Sequence, residues 1–173
     1  MTQFFMPMIP PTVTAQMHKV TARNGKPVFY DPPEIADAKS KLMANLAKYK
    51  PKKPYSVGVR LVVKWMFPKG RHKNGEYRTT KPDTDNLQKL LKDCMTKCGY
   101  WKDDALAASE IVEKFWADVP GIFIRIEELE PFRHCGNCKW HETFSWVCCN
   151  GDSEWRADFT RSDFLCEHWE ERK

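Results

Sequence analysis

No run of this chain is long and apolar enough to span a bilayer, which excludes a helical membrane protein. The amino terminus, Met1 to Pro7, has neither a charged leading segment nor a continuous apolar stretch. No secretory signal is therefore expected, and the chain is assigned to a cytoplasm. Its cysteines number seven, an odd count that argues against a full disulfide framework, as does a reducing compartment. No internal repeat is visible. Acidic residues are scarce between Phe67 and Asp83, where Glu76 alone stands against Lys69, Arg71, His72, Lys73, Arg78 and Lys81. Such a run attracts polyanions through counterion release, although a solvated loop is the alternative.

What is present suits a globular protein. The 173 residues allow one medium domain with or without a small appendage, and 42% hydrophobic content is enough for a core. Residues 3–9 are apolar and end at Pro10-Pro11, as a short edge strand would. Asn24-Gly25 between Lys19–Thr21 and Pro27–Tyr30 predicts a hairpin turn. Asp31-Pro32-Pro33-Glu34 predicts a helix start, with Asp31 as cap, Pro32 at the first helical position and Glu34 closing a capping box. Ile35, Ala38, Leu42 and Leu46 then share a face. From Tyr55 to Phe67 the alternation of Val57, Val59, Leu61, Val63, Trp65 and Phe67 predicts a strand. A second helix is expected from an Asp85 cap, with Gln88 completing the box. Its stripe is Leu87, Leu90, Leu91, Cys94 and Cys98, its stop Gly99, and its two cysteines are packing groups. Strands over Ser109–Trp116 and Ile122–Glu127, joined by an Asp118–Gly121 turn, complete the pattern. The fold class is α/β (α+β): a small mixed sheet packed on two main helices.

The chemistry lies around the second helix. Asp83 and Asp85 are two residues apart at its start, Lys89 follows one turn later, and Asp103-Asp104 comes after its end. Hard divalent cations take oxygen ligands, and Mg²⁺ is commonly held by one or two carboxylates plus phosphates and water. A lysine beside them can neutralise a phosphate. A helix of about 14 residues is roughly 21 Å long, so the segment after it must fold back to bring the acids together. Each residue also has a plainer reading: Asp85 a cap, Asp83 and Asp103-Asp104 turn residues, Lys89 a surface lysine.

The segment Lys81-Pro82-Asp83-Thr84-Asp85-Asn86-Leu87-Gln88-Lys89, with Gly99-Tyr100-Trp101-Lys102-Asp103-Asp104, resembles the RusA-type Holliday junction resolvases of bacteria and their phages. The looser resemblance covers residues 3–130. It implies Mg²⁺, or Mn²⁺, on Asp83, Asp85 and Asp104, with Lys89 as the catalytic lysine. Asp103 takes the remaining acidic position. It further implies a homodimer acting in recombination and repair, each subunit nicking one strand of a four-way DNA junction, in the host cytoplasm if phage-encoded. Lys69, Arg71, Lys73, Arg78 and Lys81 are the candidate DNA contacts. A non-catalytic nucleic-acid-binding module, or a nuclease for other branched DNA, are the rival readings.

The pattern changes near residue 131, which divides the chain into an endonuclease-like region, 1–130, and a tail, 131–173. In the tail Cys135-Gly136-Asn137-Cys138 has metal-ligand spacing, with further cysteines downstream. So short a segment has little core of its own, and Zn²⁺ would supply stability. The expected ligands are Cys135, Cys138, Cys148 and Cys166, with Cys149 as substitute for Cys148 and His141 or His168 in reserve. Trp140, Trp146, Trp155 and Trp169 are expected to pack around them. Disulfides or free thiols are the alternatives.

Overall fold

A computed structural model describes residues 1–13, 19–23, 26–30, 32–130 and 133–172. The chain divides into two compact units, Met1–Leu129 and Glu130–Lys173. In the first, the described elements in chain order are β1 (Thr2–Pro7), β2 (Lys19–Arg23), β3 (Lys26–Tyr30), α1 (Pro33–Leu46), β4 (Val59–Pro68), α2 (Thr84–Cys98), β5 (Ala107–Ala117) and β6 (Gly121–Glu128). The fold class is α+β, with two helices and a mixed four-stranded sheet in the order β1-β6-β4-β5.

Strand β4 organises the sheet. Its Val59, Leu61, Val63, Trp65 and Phe67 are all buried on one face, in one cluster with Leu42 and Leu46 of α1, Leu87, Leu90 and Leu91 of α2, and Ile122, Ile124 and Ile126 of β6. Period-two alternation thus meets the apolar stripes of two amphipathic helices. Truncating Trp65 at this centre would cost about 3–5 kcal/mol. On one side β4 pairs antiparallel with β6, and on the other parallel with β5. Parallel neighbours need a long crossover, and α2 provides it. Asp118–Pro120 carry the chain from β5 past the end of β4 to β6. In unit two, β7 (His141–Glu142) and β8 (Val147–Cys148) form a two-stranded ladder.

Several boundaries differ from the sequence-based expectation. Strand β4 begins at Val59, and Val57 is exposed: the chain before the strand is tied to the fold at Tyr55, which bridges to Trp101, and at Gly58, whose carbonyl accepts from Leu129 N at 2.8 Å, with Val57 between them. The cap of α1 is Pro32 and Pro33 holds its first turn, so Glu34 is one position too early for a capping box. Asp31 and the Asn24-Gly25 turn lie outside the described residues, but Arg23 and Lys26 on either side of that turn are antiparallel partners. Helix α2 starts two residues earlier than expected: Asp83 is the cap position and Asp85 lies in the first turn. No capping box with Gln88 forms. Gly99 closes the helix in the left-handed region at φ 77°. Cys94 is buried in the core as expected, whereas Cys98 is half-buried. Among the described residues no helix is long and apolar enough to cross a membrane.

Candidate active site

The site begins with the segment leading into α2. Residues 75–78 run along the outer edge of β5: Gly75 N donates to Trp116 O at 2.8 Å, Trp116 N to Glu76 O at 2.8 Å, and Arg78 N to Lys114 O at 2.9 Å. His72 stacks on Trp116 with ring centres 4.4 Å apart and pairs with Glu76. The Arg78 guanidinium lies 4.0 Å from the Phe67 ring centre and 4.6 Å from that of Trp116. It donates to Lys81 O and to the Thr80 hydroxyl. Burial lowers its pKa. Lys114 of β5 donates to Thr80 O at 2.9 Å and Pro82 O at 2.7 Å. Burial and the Arg78 charge lower the Lys114 pKa, while Asp83 pulls it back up.

This segment delivers Asp83 to the cap of α2. Neither Asp83 nor Asp85 uses its carboxylate in a cap: the Asp83 side chain makes no capping bond, and the first helical bond runs from Leu87 N to Asp83 O at 3.2 Å. Negative charge is favoured here by the exposed amides of the helix start. At the far end Asp103 does cap, its carboxylate accepting from Ala105 N at 2.9 Å, which fixes the turn that presents Asp104. Among the described residues Asp83, Asp85, Lys89 and Asp104 have no side-chain hydrogen bond and no ion pair within 4.0 Å, so the i,i+4 pairing of Asp85 with Lys89 is not made.

A cleft of about 360 Å³ brings several of these groups together. It is lined by Asp85, Gln88, Lys89 and Lys92 of α2 with Asp104 and Glu110. The helical positions recur at i, i+3, i+4 and i+7, one face of the helix. Lys92 and Glu110 close into an ion pair of 2.5 Å. Asp83 is not among the lining residues. No three His, Cys, Asp or Glu side chains among the described residues converge closely enough to hold a metal ion. Sequence reasoning missed Gln88, Lys92, Glu110 and Lys114. Gln88 is 3% exposed, and its carboxamide nitrogen and oxygen have no hydrogen-bond partner among the described residues.

The basic residues divide into two sets. Lys69 pairs with Asp118 at 2.6 Å, and Arg78 is committed to the segment it braces. Arg71, Lys73 and Lys81 are exposed and form no ion pair among the described residues.

In the second unit the Cys135–Cys138 turn is closed by Cys138 N to Cys135 O at 3.0 Å, and His134 N donates to Asn137 Oδ1. Cys135, Cys138 and Cys148 are buried, Cys166 is half-buried and Cys149 is exposed; all are free thiols. Burial pushes the Cys135 thiol up, and Cys166, Cys138 and Cys148 are close enough to add to the shift, while Thr160 opposes it. His141, opposite Cys148 in the ladder, is buried with Nε2 against Thr160 O at 2.9 Å and Nδ1 without a partner among the described residues. His168 is exposed. Trp146 and Trp155 are exposed by 47% and 38% rather than packed inside. Trp140 and Trp169 are anchored through their indole nitrogens, to Glu170 and Asn137.

Comparison with known proteins finds two likenesses. A family model described as "Endodeoxyribonuclease RusA" matches residues 9–127. A Lactococcus phage r1t protein, "Crossover junction endodeoxyribonuclease rusA", is 35% identical over 95 residues, which covers 53% of this chain and 71% of that protein.

Proposed function

The chain belongs to the RusA endodeoxyribonuclease family, a family of metal-dependent nucleases, and from that membership we propose that it resolves Holliday junctions by paired nicks, with Mg²⁺ as the working ion. The observation that supports the reading is the cleft that Asp85, Lys89 and Asp104 line together. Its donor chemistry fits a hard cation: the acids offer only oxygen, and no hydrogen bond or ion pair among the described residues occupies them. Full convergence of three protein ligands is not required, since Mg²⁺ keeps several waters and takes phosphate oxygens. Asp85 and Asp104, with Asp83 at the mouth of α2, would hold Mg²⁺ or Mn²⁺, which would supply Lewis-acid stabilisation of the phosphate and an activated water.

The chain's own groups do the rest. The Lys89 ammonium lies one helical turn from Asp85, where it offsets charge building on the phosphoryl oxygens. Asp103 holds the Asp104 turn in shape. Arg71, Lys73 and Lys81 offer unpaired positive charge to the DNA backbone, which fixes orientation and carries no base readout. Junction selectivity then rests on shape, with a homodimer presenting two such sites, one to each of two strands. For the tail the proposal is Zn²⁺ on Cys135, Cys138, Cys148 and Cys166: the four thiols are near enough to act on one another but are not gathered to ligand distance, so they would have to close around the ion, and the burial of Cys148 against the exposure of Cys149 favours Cys148 in that set.

The test is a panel of four-way, flap and linear DNAs with Mg²⁺. Asp83→Asn, Asp85→Asn and Asp104→Asn are each expected to reduce nicking at least about 100-fold while leaving junction binding within about twofold, because a charge of several kcal/mol consequence is lost and the fold is kept. Light scattering checks the dimer. A wild-type protein that binds branched DNA, never nicks it, and shows no carboxylate-dependent Mn²⁺ binding by calorimetry would be a non-catalytic module.

A further inference from the structure

The segment that carries Asp83 has no ladder of its own. From Thr80 to Pro82 every backbone carbonyl is held by a side chain: Thr80 O and Pro82 O by Lys114, and Lys81 O by Arg78. Pro82 has no N–H with which to anchor itself. Asp83 itself is exposed, and its carboxylate makes no hydrogen bond among the described residues. The course of the chain immediately before it is therefore set by two cations reaching over from β5 and from the preceding loop.

Lys114 is an unusual lysine in this molecule. Lys64, Lys69, Lys92 and Lys139 turn to carboxylates in partly exposed pairs. Lys114 is half-buried and turns inward to two carbonyl oxygens. An ammonium with three donors can bind both carbonyls at once and draw them together. The sheet supplies a rigid base for this, because β5 is paired along β4 over its length.

We propose that Lys114 is a positioning residue for the nuclease site, clamping Thr80 and Pro82 so that Asp83 enters α2 in one fixed direction. The proposal rests on the nuclease reading above. It differs from a role in DNA binding, since this ammonium is not offered to solvent as Arg71, Lys73 and Lys81 are. It also differs from a purely electrostatic role: a positive charge near Asp83 disfavours a cation there, whereas a clamp favours it by fixing the ligand.

Lys114→Met removes the donors and the charge at similar length, and Lys114→Arg keeps both. Four measurements are made on the full-length protein: thermal melting, junction binding without divalent metal, Mn²⁺ binding by calorimetry without DNA, and nicking rate. Lys114→Met is expected to melt within a few degrees of wild type and bind junctions within about twofold. Its Mn²⁺ binding weakens about tenfold and its kcat falls about 100-fold with KM little changed, the size expected for a misplaced catalytic group. Lys114→Arg recovers most of both losses. The clamp is overturned if Lys114→Met nicks at the wild-type rate, or if it binds Mn²⁺ more tightly than wild type, which is the signature of relieved charge repulsion. Wild-type protein that nicks no branched DNA overturns the nuclease reading instead, and that failure is visible before any variant is made.

Discussion

Gln88 is the residue whose placement is hardest to explain by stability. Its carboxamide is shielded from solvent, lacks a partner among the described residues, and sits in the helix face that lines the cleft. An unsatisfied buried amide costs about 1–3 kcal/mol. Gln88→Met, apolar and of similar length, is therefore expected to leave stability unchanged or raise it by about 1 kcal/mol, read as the midpoint of a urea transition. A loss of that size would mean that the amide has a bonded partner, such as a buried water. Cys94 makes the complementary case. Burial pushes its thiol up to about 11, so at neutral pH it is expected to resist alkylation, while the exposed Cys149 reacts quickly. The acids and Lys89 were legible as candidates because metal-assisted phosphate chemistry demands those residue types. Lys114 was not. In sequence it is one more charge on an alternating strand, and its partners, Thr80 and Pro82, stand more than 30 residues away.

Elements were read well where one face is buried and poorly at their ends. Ile35, Ala38, Leu42 and Leu46 are the buried set of α1, and the alternating residues of β4 from Val59 onward are all in the core. Helix starts slipped by one or two residues because Asp31-Pro32-Pro33 and Asp83-Thr84-Asp85 each offer more than one capping register, and tertiary contacts choose among them. For α2 the Lys114 and Arg78 bonds to residues 80–82 fix the chain just upstream of Asp83. The sheet order was not legible, since it depends on α2 crossing over to make β5 a parallel neighbour of β4. Gly99 tests the end of α2. At φ 77°, with an added Cβ only 2.9 Å from Lys50 Nζ, Gly99→Ala is expected to cost about 1 kcal/mol, measured by thermal or urea unfolding. Unchanged stability would mean that the helix re-terminates without the left-handed residue. In the tail, Glu142 braces the β7–β8 turn. The Ser145 hydroxyl and amide and the Phe144 amide hold its carboxyl at about 2, below its ordinary 4.5. A depressed carboxyl stabilises above its unfolded pKa, so the turn is expected to loosen as pH falls from about 4.5 towards 2. Trp146 fluorescence should report it, and Glu142→Gln should lose the transition.

At the scale of the whole molecule the two units are stabilised by different means. The first buries Trp65, Phe67, Trp101 and a set of leucines and isoleucines, enough for a conventional core. The second does not. Its buried residues are Cys135, Cys138, Cys148, His141, Asn150, Ser153 and Thr160, while Phe144 and Phe159 are 94% and 82% exposed. Cysteines and polar groups give little transfer free energy, and a unit of this length ordinarily needs a cross-link. No disulfide provides one, for all the thiols are free. A metal at the four cysteines would supply it, and metal binding would then be folding for this unit alone. Protein prepared under reducing conditions is accordingly expected to carry about one Zn²⁺ per chain. Before chelation Cys149 should be the tail thiol that reacts readily. After a strong chelator Cys135, Cys138, Cys148 and Cys166 should react as well, and tail amides should exchange quickly. The melting of the first unit should stay where it was, because its core contains none of these residues. Equal reactivity of the tail thiols before and after chelation, with no bound zinc, would leave the hydrogen bonds of the tail, such as Cys135 N to Phe164 O and Lys139 N to Glu170 O, to order it unaided.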